Sequence, residues 1–421
     1  MSSVVRIGII GCGRILNAHL RGLRLLQENG LGDGFRVTAL CARQEIDLRR
    51  FNRRGEGLPP RPAPVDIPDD PLNAAQMYVS DLHPDSKTEL YTDYRVMLAE
   101  GSVDAVCILT GHDNHHSIAI DALRAGKHVA VEKPMAITVK ACQRMCEEAD
   151  KAGRVLGVFE SAHYYPITPA SAWAVADGAI GDVSMVFQSL IGCPAPRPDV
   201  VLARTAWRQK KLGSGGGIAG DIGPHLFNRI RTIAGPIASV SALCSVLEPE
   251  RVLLDEHNET VIGRFPNEVN DAFMANLVFE SGAIGHVSFA ISSHGVRLAF
   301  PGGTNVWGTC GALSGGEIVA DDGATVSVMD YVQRNAPAET IDSWQPKGIG
   351  DAFALEQLDF VQAVRNGTQM RVSGEEGCLD MAISYATIES GLAGRSVTPG
   401  EILAGELCEY QQEINDHYGL G

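Results

Sequence analysis

The sequence predicts an α/β protein of two domains, a doubly wound parallel sheet followed by an α/β domain with a large open, mostly antiparallel sheet. In the first 160 residues, short apolar runs alternate with helical patterns, as in right-handed crossovers between parallel strands. From residue 182 onward, alternating apolar and polar runs separated by turns predominate, which is typical of antiparallel sheets. A chain of 421 residues is also too long for one ordinary core.

The first domain is predicted over residues 1–160. Its strand candidates are residues 4–10, 35–41, 105–109, 128–131 and 155–159, and its helical patterns are residues 15–26, 117–125 and 139–152. A proline-rich stretch, residues 55–87, interrupts this alternation, and its prolines exclude a regular helix or central strand before Leu72. We expect a surface insertion, either a plain excursion or an arm at a subunit contact or over the active site.

The second domain is predicted over residues 161–421, with a role in substrate binding and oligomerisation. Its strand candidates are residues 183–191, 237–247, 272–280, 283–292 and 296–300. One helix is predicted from the glycine run at 213–217 to Arg231, and two later helices near 351–365 and 375–393 complete the domain. An open sheet leaves one apolar face, so we expect a homo-oligomer, either a dimer or a tetramer or higher assembly.

Composition excludes several classes of protein. Hydrophobic content of 45% and charged content of 20% are globular values, and the formal net charge of −16 argues against nucleic-acid or anionic-membrane binding. No apolar run approaches the roughly 18 residues of a membrane span. The first strand leaves no room for a signal peptide, and the ten cysteines show no disulfide framework. We therefore expect a cytoplasmic protein.

The turn after the first strand has the pattern Gly11-Cys-Gly13. Gly11 permits a sharp turn, and Gly13 has no Cβ, so a pyrophosphate can approach backbone amides at the N-terminus of a helix. The third position of this dinucleotide-binding fingerprint is Leu16, where Gly or Ala is usual. The predicted cofactor contacts in this turn are Gly11, Gly13, Arg14 and Ile15.

The end of the second strand bears on the choice between NAD and NADP. NAD enzymes usually place Asp or Glu there to bond the ribose 2′-hydroxyl. Here the strand ends in Ala42-Arg43, so no carboxylate competes with a 2′-phosphate, and Arg43 can pair with that phosphate. The sequence therefore favours NADP over NAD. Stacking of Arg43 on adenine is the alternative and is compatible with either cofactor.

The candidate chemistry lies at Glu132-Lys133-Pro134 and in the helix after the glycine run. Removing hydride from a carbinol carbon also requires loss of the hydroxyl proton, so the site needs a base. An imidazole takes both charge states near neutral pH, which makes His225 the candidate base. Asp221, one helical turn earlier, can bond substrate hydroxyls or the imidazole. The Lys133 ammonium can stabilise a developing alkoxide.

These motifs, taken in order, resemble the Gfo/Idh/MocA oxidoreductases, the glucose–fructose oxidoreductase and inositol dehydrogenase family. The resemblance rests on the glycine turn, Glu132-Lys133-Pro134 and the run from the glycines to Asp221 and His225, and it covers nearly the whole chain apart from the insertion and the C-terminal tail. It implies a Rossmann domain, NAD(P)-dependent oxidation of a secondary alcohol on a sugar, glycoside or cyclitol, and Lys133, Asp221 and His225 as the catalytic set.

Two positions depart from the family pattern. Asn228 stands where the family often has Asp, and Thr110-Gly111 stands where it has Thr-Pro. His115 aligns with a family position near the cofactor and the bound substrate. The further predicted cofactor contacts are Ala42, Arg43, Thr110, His115, Glu132 and Lys133.

Two alternatives from other classes remain open on the sequence. The histidine-rich run with His112, His115 and His116 invites a metal-dependent hydrolase or lyase, but no second ligand cluster at zinc spacing accompanies it, and no metal site is predicted. A non-catalytic dinucleotide-binding regulator is the other alternative. Retention of Lys133, Asp221 and His225 argues against it.

Overall fold

The computed structural model describes residues 4–63, 70–84, 87–193, 195, 197–255, 257–299 and 303–421. The first strands are β1 (Val5–Ile10), β2 (Phe35–Cys41), β3 (Glu89–Tyr91), β4 (Ala105–Ile108), β5 (His128–Glu132) and β6 (Leu156–Phe159). The first helices are α1 (Leu16–Glu28), α2 (Glu45–Asn52), α3 (Val79–Leu82), α4 (Tyr94–Glu100), α5 (His112–Arg124) and α6 (Val139–Ala152).

The remaining elements lie after residue 160. The strands are β7 (Val183–Ile191), β8 (Ile237–Ser245), β9 (Glu250–Leu254), β10 (Val261–Pro266), β11 (Ala272–Phe279), β12 (Ile284–Ala290), β13 (Leu298–Ala299), β14 (Asn305–Gly308), β15 (Gly311–Ser314), β16 (Glu317–Ala320) and β17 (Thr325–Ser327). The helices are α7 (Ser161–Tyr164), α8 (Ile167–Ala176), α9 (Lys211–Ser214), α10 (Gly217–Asp221), α11 (Gly223–Ala234), α12 (Val328–Asn335), α13 (Ala338–Trp344), α14 (Ala352–Asn366), α15 (Gly374–Ala393), α16 (Pro399–Leu403) and α17 (Glu409–His417).

The chain forms two compact units. Unit 1 contains residues 1–160, 202–204 and 353–378, and unit 2 contains residues 161–201, 205–352 and 379–421. The sheet of unit 1 has six strands in the order β3-β2-β1-β4-β5-β6, and every pairing in it is parallel. This order reverses direction between β1 and β4, which is the switch point where open α/β sheets bind ligands. The predicted doubly wound parallel sheet is confirmed.

Helix α14 packs in unit 1, although the sequence places it in the second domain. Gly22 of α1 meets the backbone of α14 directly, because a Cβ on Gly22 would lie 2.7 Å from the amide nitrogen of Ala354. The ring of Phe353 packs edge-on against His19 of α1, with 5.1 Å between ring centroids. A contact that joins residues so distant in the chain leaves no local pattern in the sequence.

The sheet of unit 2 has nine strands, with β17-β16-β15-β14-β7-β12-β11-β8 in order and β13 beside β7. Only β7 and β12 pair in parallel, so the sheet is mostly antiparallel, as predicted. β11 alternates buried and exposed residues along its length, because one sheet face packs inward. The strand predicted at 296–300 is shorter in the structure. Within the described residues it is β13. Strands β9, β10 and β14–β17 were not predicted.

The helix predicted from 213 to 231 is divided into α9, α10 and α11. Gly215 and Gly217 adopt left-handed backbone conformations with φ of 74° and 58°. A Cβ on Gly217 would lie 2.5 Å from the Asn270 carbonyl oxygen, so only glycine fits there. Pro224 has no N–H to continue the hydrogen-bond ladder between α10 and α11. The break at Ile222 therefore separates Asp221 from the helix that carries His225.

The described part of the insertion packs onto its own unit. It contains a 3₁₀ turn at Pro71–Asn73 and helix α3, and residues 64–69 and 85–86 lie outside the described residues. The Met77 amide donates to the Asn17 side chain at 3.0 Å, and Arg50 donates to the Pro59 carbonyl at 3.0 Å. The insertion therefore contacts both α1 and α2.

All ten cysteines are free thiols. No helix in the described ranges is long and apolar enough to cross a membrane.

Candidate functional site

The glycine turn after β1 is shaped by close backbone contacts. Gly11 has a φ of 110°, and a Cβ there would lie 2.3 Å from the Leu109 carbonyl oxygen. Its amide donates to the Cys41 carbonyl at 2.8 Å, which joins the ends of β1 and β2. In contrast, a Cβ on Gly13 would meet nothing within 4 Å. The turn thus presents open space at Gly13 and at the start of α1, where a pyrophosphate fits.

The side chains that follow the glycines differ in their surroundings. Ile15 is the N-cap residue of α1 and makes no side-chain capping bond, and Leu16 is fully buried. Arg14 points toward the insertion, where its Nη1 donates to the Pro62 carbonyl at 2.8 Å.

The end of β2 carries no carboxylate before α2 begins. The Ala42 amide donates to the Tyr91 carbonyl at 3.1 Å, which fixes this end against β3. Arg43 follows and is exposed. The first acidic side chains of α2 already have partners, because Glu45 pairs with Arg49 and Asp47 lies 3.1 Å from Arg61. The first charged side chain after β2 is therefore Arg43, and the acidic side chains that follow it are already paired.

His115 links the end of β4 to the segment after β5. The imidazole is fully buried, with Nδ1 2.9 Å from the Pro134 carbonyl oxygen and Nε2 3.2 Å from the Thr110 carbonyl oxygen. Burial lowers the pKa of His115, while the contacts with the two carbonyl oxygens act in the opposite direction. His115 thus bridges the loop after β4 and the loop that carries Lys133.

Glu132 is held by a histidine that the sequence analysis did not single out. His19 of α1 donates from Nε2 to a Glu132 carboxylate oxygen at 2.8 Å. The Gln357 amide nitrogen lies 3.0 Å from His19 Nδ1. This chain of bonds fixes the Glu132 carboxylate at the end of β5. The half-buried Lys133 is the next residue and begins the loop held by His115.

Metal-ligating side chains converge at a different place from the one that the sequence suggested. Among the described residues, one group of three side chains places its possible ligand atoms within 4.8 Å of one another. This group is His19, Glu132 and Glu356. His112, His115 and His116 form no such group in the described ranges. Burial lowers the pKa of His116 to about 4. His19 is hydrogen-bonded to Glu132, and its Nδ1 lies 3.7 Å from the fully buried Glu356 carboxylate.

In unit 2, Asp221 lies at the end of α10 beside an arginine. Arg208 Nε donates to Asp221 Oδ2 at 3.0 Å, and the Arg208 guanidinium stacks 4.6 Å from the centre of the Trp207 ring. The Asp221 side chain is largely buried. Its charge is therefore balanced by Arg208. Arg208 was not predicted from the sequence, because it precedes the glycine run on a short 3₁₀ turn.

His225 and Asn228 lie one turn apart in α11. His225 is half-buried, whereas Asn228 is almost fully buried. The Asn228 amide donates to Asp380 Oδ2 at 2.7 Å, and its carbonyl oxygen lies 3.1 Å from His163 Nδ1. Arg231 binds Asp380 Oδ1 at 2.8 Å. Asp380 therefore supplies a carboxylate beside the position where the family often has Asp.

Family models match most of this architecture. Residues 5–160 match the model described as the oxidoreductase family, NAD-binding Rossmann fold, and residues 172–314 match the Gfo/Idh/MocA C-terminal domain. The chain belongs to the Gfo/Idh/MocA oxidoreductase family. The resemblance drawn from the ordered motifs is confirmed, and the chain is an NAD(P)-dependent oxidoreductase.

Named relatives of this oxidoreductase act on small carbohydrates and cyclitols. Levoglucosan dehydrogenase of Pseudarthrobacter phenanthrenivorans is 28% identical over 71% of this chain and 80% of its own. Myo-inositol 2-dehydrogenase of Thermotoga maritima is 25% identical over 95% of this chain and all of its own. The solved structure of levoglucosan dehydrogenase with NADH and levoglucosan superposes with a TM-score of 0.72 at 22% identity, covering 94% of this chain and 99% of that chain, which shows a shared fold.

Proposed function

We propose that this oxidoreductase transfers a hydride between a nicotinamide and a secondary alcohol or ketone of a sugar, glycoside or cyclitol. The observation that carries the proposal is the unit 1 switch point, where the glycine turn with its open space at Gly13 shares one sheet edge with Glu132 and Lys133. Open α/β sheets bind ligands outside this edge. The activities of the named relatives support the substrate class.

The proposed cofactor contacts follow the carboxyl ends of the strands. After β1 the contacts are Gly11, Gly13, Arg14 and Ile15, and after β2 they are Ala42 and Arg43. The loops after β4 and β5 contribute Thr110, Glu132 and Lys133. His115 bridges these two loops. When bound, the nicotinamide supplies the hydride acceptor or donor. The glycine turn binds the pyrophosphate through backbone amides, and the loops after β4 and β5 face the reacting end.

The proposed catalytic set is Lys133, Asp221 and His225. Lys133 stabilises negative charge on the carbinol oxygen, because an ammonium near a developing alkoxide lowers the energy of the transition state. His225 accepts the hydroxyl proton in the oxidative direction and returns it in the reductive direction. Asp221 bonds a substrate hydroxyl, and its ion pair with Arg208 orients the carboxylate.

Two measurements on the purified protein test this proposal. Denaturing mass spectrometry identifies any retained nucleotide, and nicotinamide absorbance at a panel of polyols, sugars and glycosides reports hydride transfer. We expect reduction of NAD(P) with at least one secondary alcohol in the panel. Metal analysis on the same sample separates the alternatives: a metal-dependent hydrolase or lyase acts without nicotinamide, and a regulator binds the nucleotide without turnover.

We propose NADP as the preferred cofactor, because arginine and no carboxylate follows β2. Arg43→Ala is then expected to weaken NADP binding by about tenfold or more, while NAD binding changes little, since only NADP offers the 2′-phosphate for a charge-assisted pair. Titration of both cofactors by fluorescence or calorimetry measures the two losses. Equal losses for the two cofactors contradict 2′-phosphate recognition and favour stacking on adenine.

We propose that the outer face of the unit 2 sheet is covered by a second copy of the chain. Leu243 of β8 is 73% exposed and stands directly opposite Met274 of β11, which is 56% exposed. On the same sheet, Val278, Ile284 and Met185 lie opposite one another across β11, β12 and β7, and all three are exposed. Burying such a face against its own copy makes a two-fold contact that closes as a dimer and can pair again.

Light scattering at micromolar concentration is therefore expected to give a multiple of the 44.9 kDa chain mass. Met274→Asp places a charge in the apolar face and is expected to shift the protein toward smaller species. Ile46→Asp, at an exposed apolar residue of unit 1, is the matched control and leaves the mass unchanged. A wild-type protein that runs as a monomer contradicts this assembly.

A further inference from the structure

Two tyrosines near the C-terminus donate hydrogen bonds to the segment that leads to Asp221. The Tyr410 hydroxyl, in the first turn of α17, donates to the Gly215 carbonyl oxygen at 3.1 Å. The Tyr418 hydroxyl, directly after the last residue of α17, donates to the Leu212 carbonyl oxygen at 2.7 Å. Carbonyl groups in the last turn of a helix have no partner within that helix, so they need donors from elsewhere. The two tyrosines supply these donors to α9 and to the glycine that follows it.

Helix α17 is itself anchored in unit 2. The backbone amide of Tyr410 donates to a carboxylate oxygen of Glu389 in α15 at 3.0 Å, and Glu389 is almost fully buried. The side chain of Ile414 is fully buried. The Lys211 ammonium of α9 donates to Glu413 at 2.8 Å and lies 4.4 Å from the centre of the Tyr410 ring. The helix therefore connects α9 to the buried helix α15.

The glycine run between α9 and α10 is held by bonds from outside the run. The Gly216 carbonyl accepts from the Asn270 amide nitrogen at 2.7 Å, and the Asn270 side-chain oxygen accepts from the Ala219 amide at 3.1 Å. Glycine has more accessible backbone conformations than other residues, so bonds of this kind decide which conformation is populated. The two tyrosines and Asn270 together fix the path of the chain into α10, and Asp221 is the last residue of α10.

We propose that Tyr410 and Tyr418 are positioning residues that hold Asp221 in the place where its carboxylate bonds a substrate hydroxyl. A group that is held in its bound geometry loses less conformational freedom when the substrate binds. The role of Asp221 rests on the proposed function, whereas the conformation of the glycine run requires no turnover. The two tyrosines lie beyond residues 5–160 and 172–314, which the family models match, so these matches assign them no role.

Hydrogen exchange of backbone amides tests the conformational part of this proposal. Tyr410→Phe and Tyr418→Phe each remove one hydroxyl and keep the ring. In the double variant we expect the amides of residues 212–221 to exchange about tenfold faster than in the wild type, because two bonds that oppose local opening are lost. Tyr331→Phe, which removes a hydroxyl that donates to Asp177 at 2.8 Å in the same unit, is the matched control and leaves this exchange unchanged. Wild-type exchange of residues 212–221 in the folded double variant overturns the proposal.

Kinetics with an alcohol from the panel tests whether the two tyrosines act through Asp221. We expect the double variant to lower kcat/KM for the alcohol by about tenfold and to leave the dissociation constant of the cofactor unchanged. In Asp221→Asn, the same two substitutions are expected to add little, because residues that act through one group have non-additive effects. An equal further loss in Asp221→Asn, or wild-type kcat/KM despite faster exchange, overturns the positioning role. Faster exchange in a protein that transfers no hydride supports the tyrosine contacts and contradicts the proposed function.

Discussion

Replacing Lys133 by alanine is expected to lower kcat by about 10²- to 10³-fold, with little change in folding, because an electrostatic group acting at the reacting oxygen contributes on this scale. Lys133 follows β5 directly, and its neighbours are held on both sides. The Glu132 carboxylate is bound by His19, and His115 is bonded to the Pro134 carbonyl. The lysine therefore sits on a fixed backbone, as a group that stabilises a transition state requires.

A second lysine provides the control for this variant. Lys140 is an exposed residue of α6 in the same unit. Lys140→Ala removes the same charge as Lys133→Ala and is expected to keep wild-type turnover. Steady-state kinetics with a saturating substrate compares the three proteins, and circular dichroism confirms that they are folded. Wild-type turnover in folded Lys133→Ala contradicts the catalytic assignment of Lys133.

Replacing His225 by asparagine is expected to reduce the rate by about 10²- to 10⁴-fold and to flatten the pH–rate profile between mildly acidic and mildly basic pH, because general base catalysis by an imidazole is lost. Asparagine keeps a polar side chain of similar reach in the first turn of α11 but cannot take the proton. In the oxidative direction the loss is greatest near neutral pH. At high pH, hydroxide removes the proton without the base, so the difference becomes smaller.

His294 offers a comparison for this histidine. It is an exposed imidazole of unit 2 paired with Glu248, so His294→Asn removes a histidine without touching the proposed site. Kinetics across the pH range should give wild-type profiles for His294→Asn. A profile of unchanged shape and height in His225→Asn means that His225 is structural and that another base must act.

Much of the fold follows from local patterns in the sequence. β7 and β2 have the bounds that their apolar patterns predict, because strand periodicity depends on immediate neighbours. The divided helix around Asp221 was predicted as one helix, since nothing local indicates that Gly217 is pressed against Asn270. The strands β14–β17 are only three or four residues long, and they are strands because they add to an existing sheet edge.

The candidate site was predictable only in part, and for a similar reason. The glycine turn and the Glu132-Lys133 pair have a local signature, so their positions after β1 and β5 could be anticipated. The partners that orient the predicted residues are remote in sequence: Gln357 reaches His19, and Asp380 reaches Asn228. Tertiary hydrogen bonds of this kind leave no spacing pattern in one sequence.

Hydride transfer is tested most directly by following the hydrogen that is transferred. The protein is incubated with NAD(P) and a substrate from the polyol panel that carries deuterium at its secondary carbinol carbon, and the reduced cofactor is analysed by mass spectrometry. We expect one deuterium to appear on the nicotinamide ring and Lys133→Ala to lower its rate of appearance. A substrate that is consumed while the cofactor stays oxidised and unlabelled contradicts hydride transfer as the function of this protein.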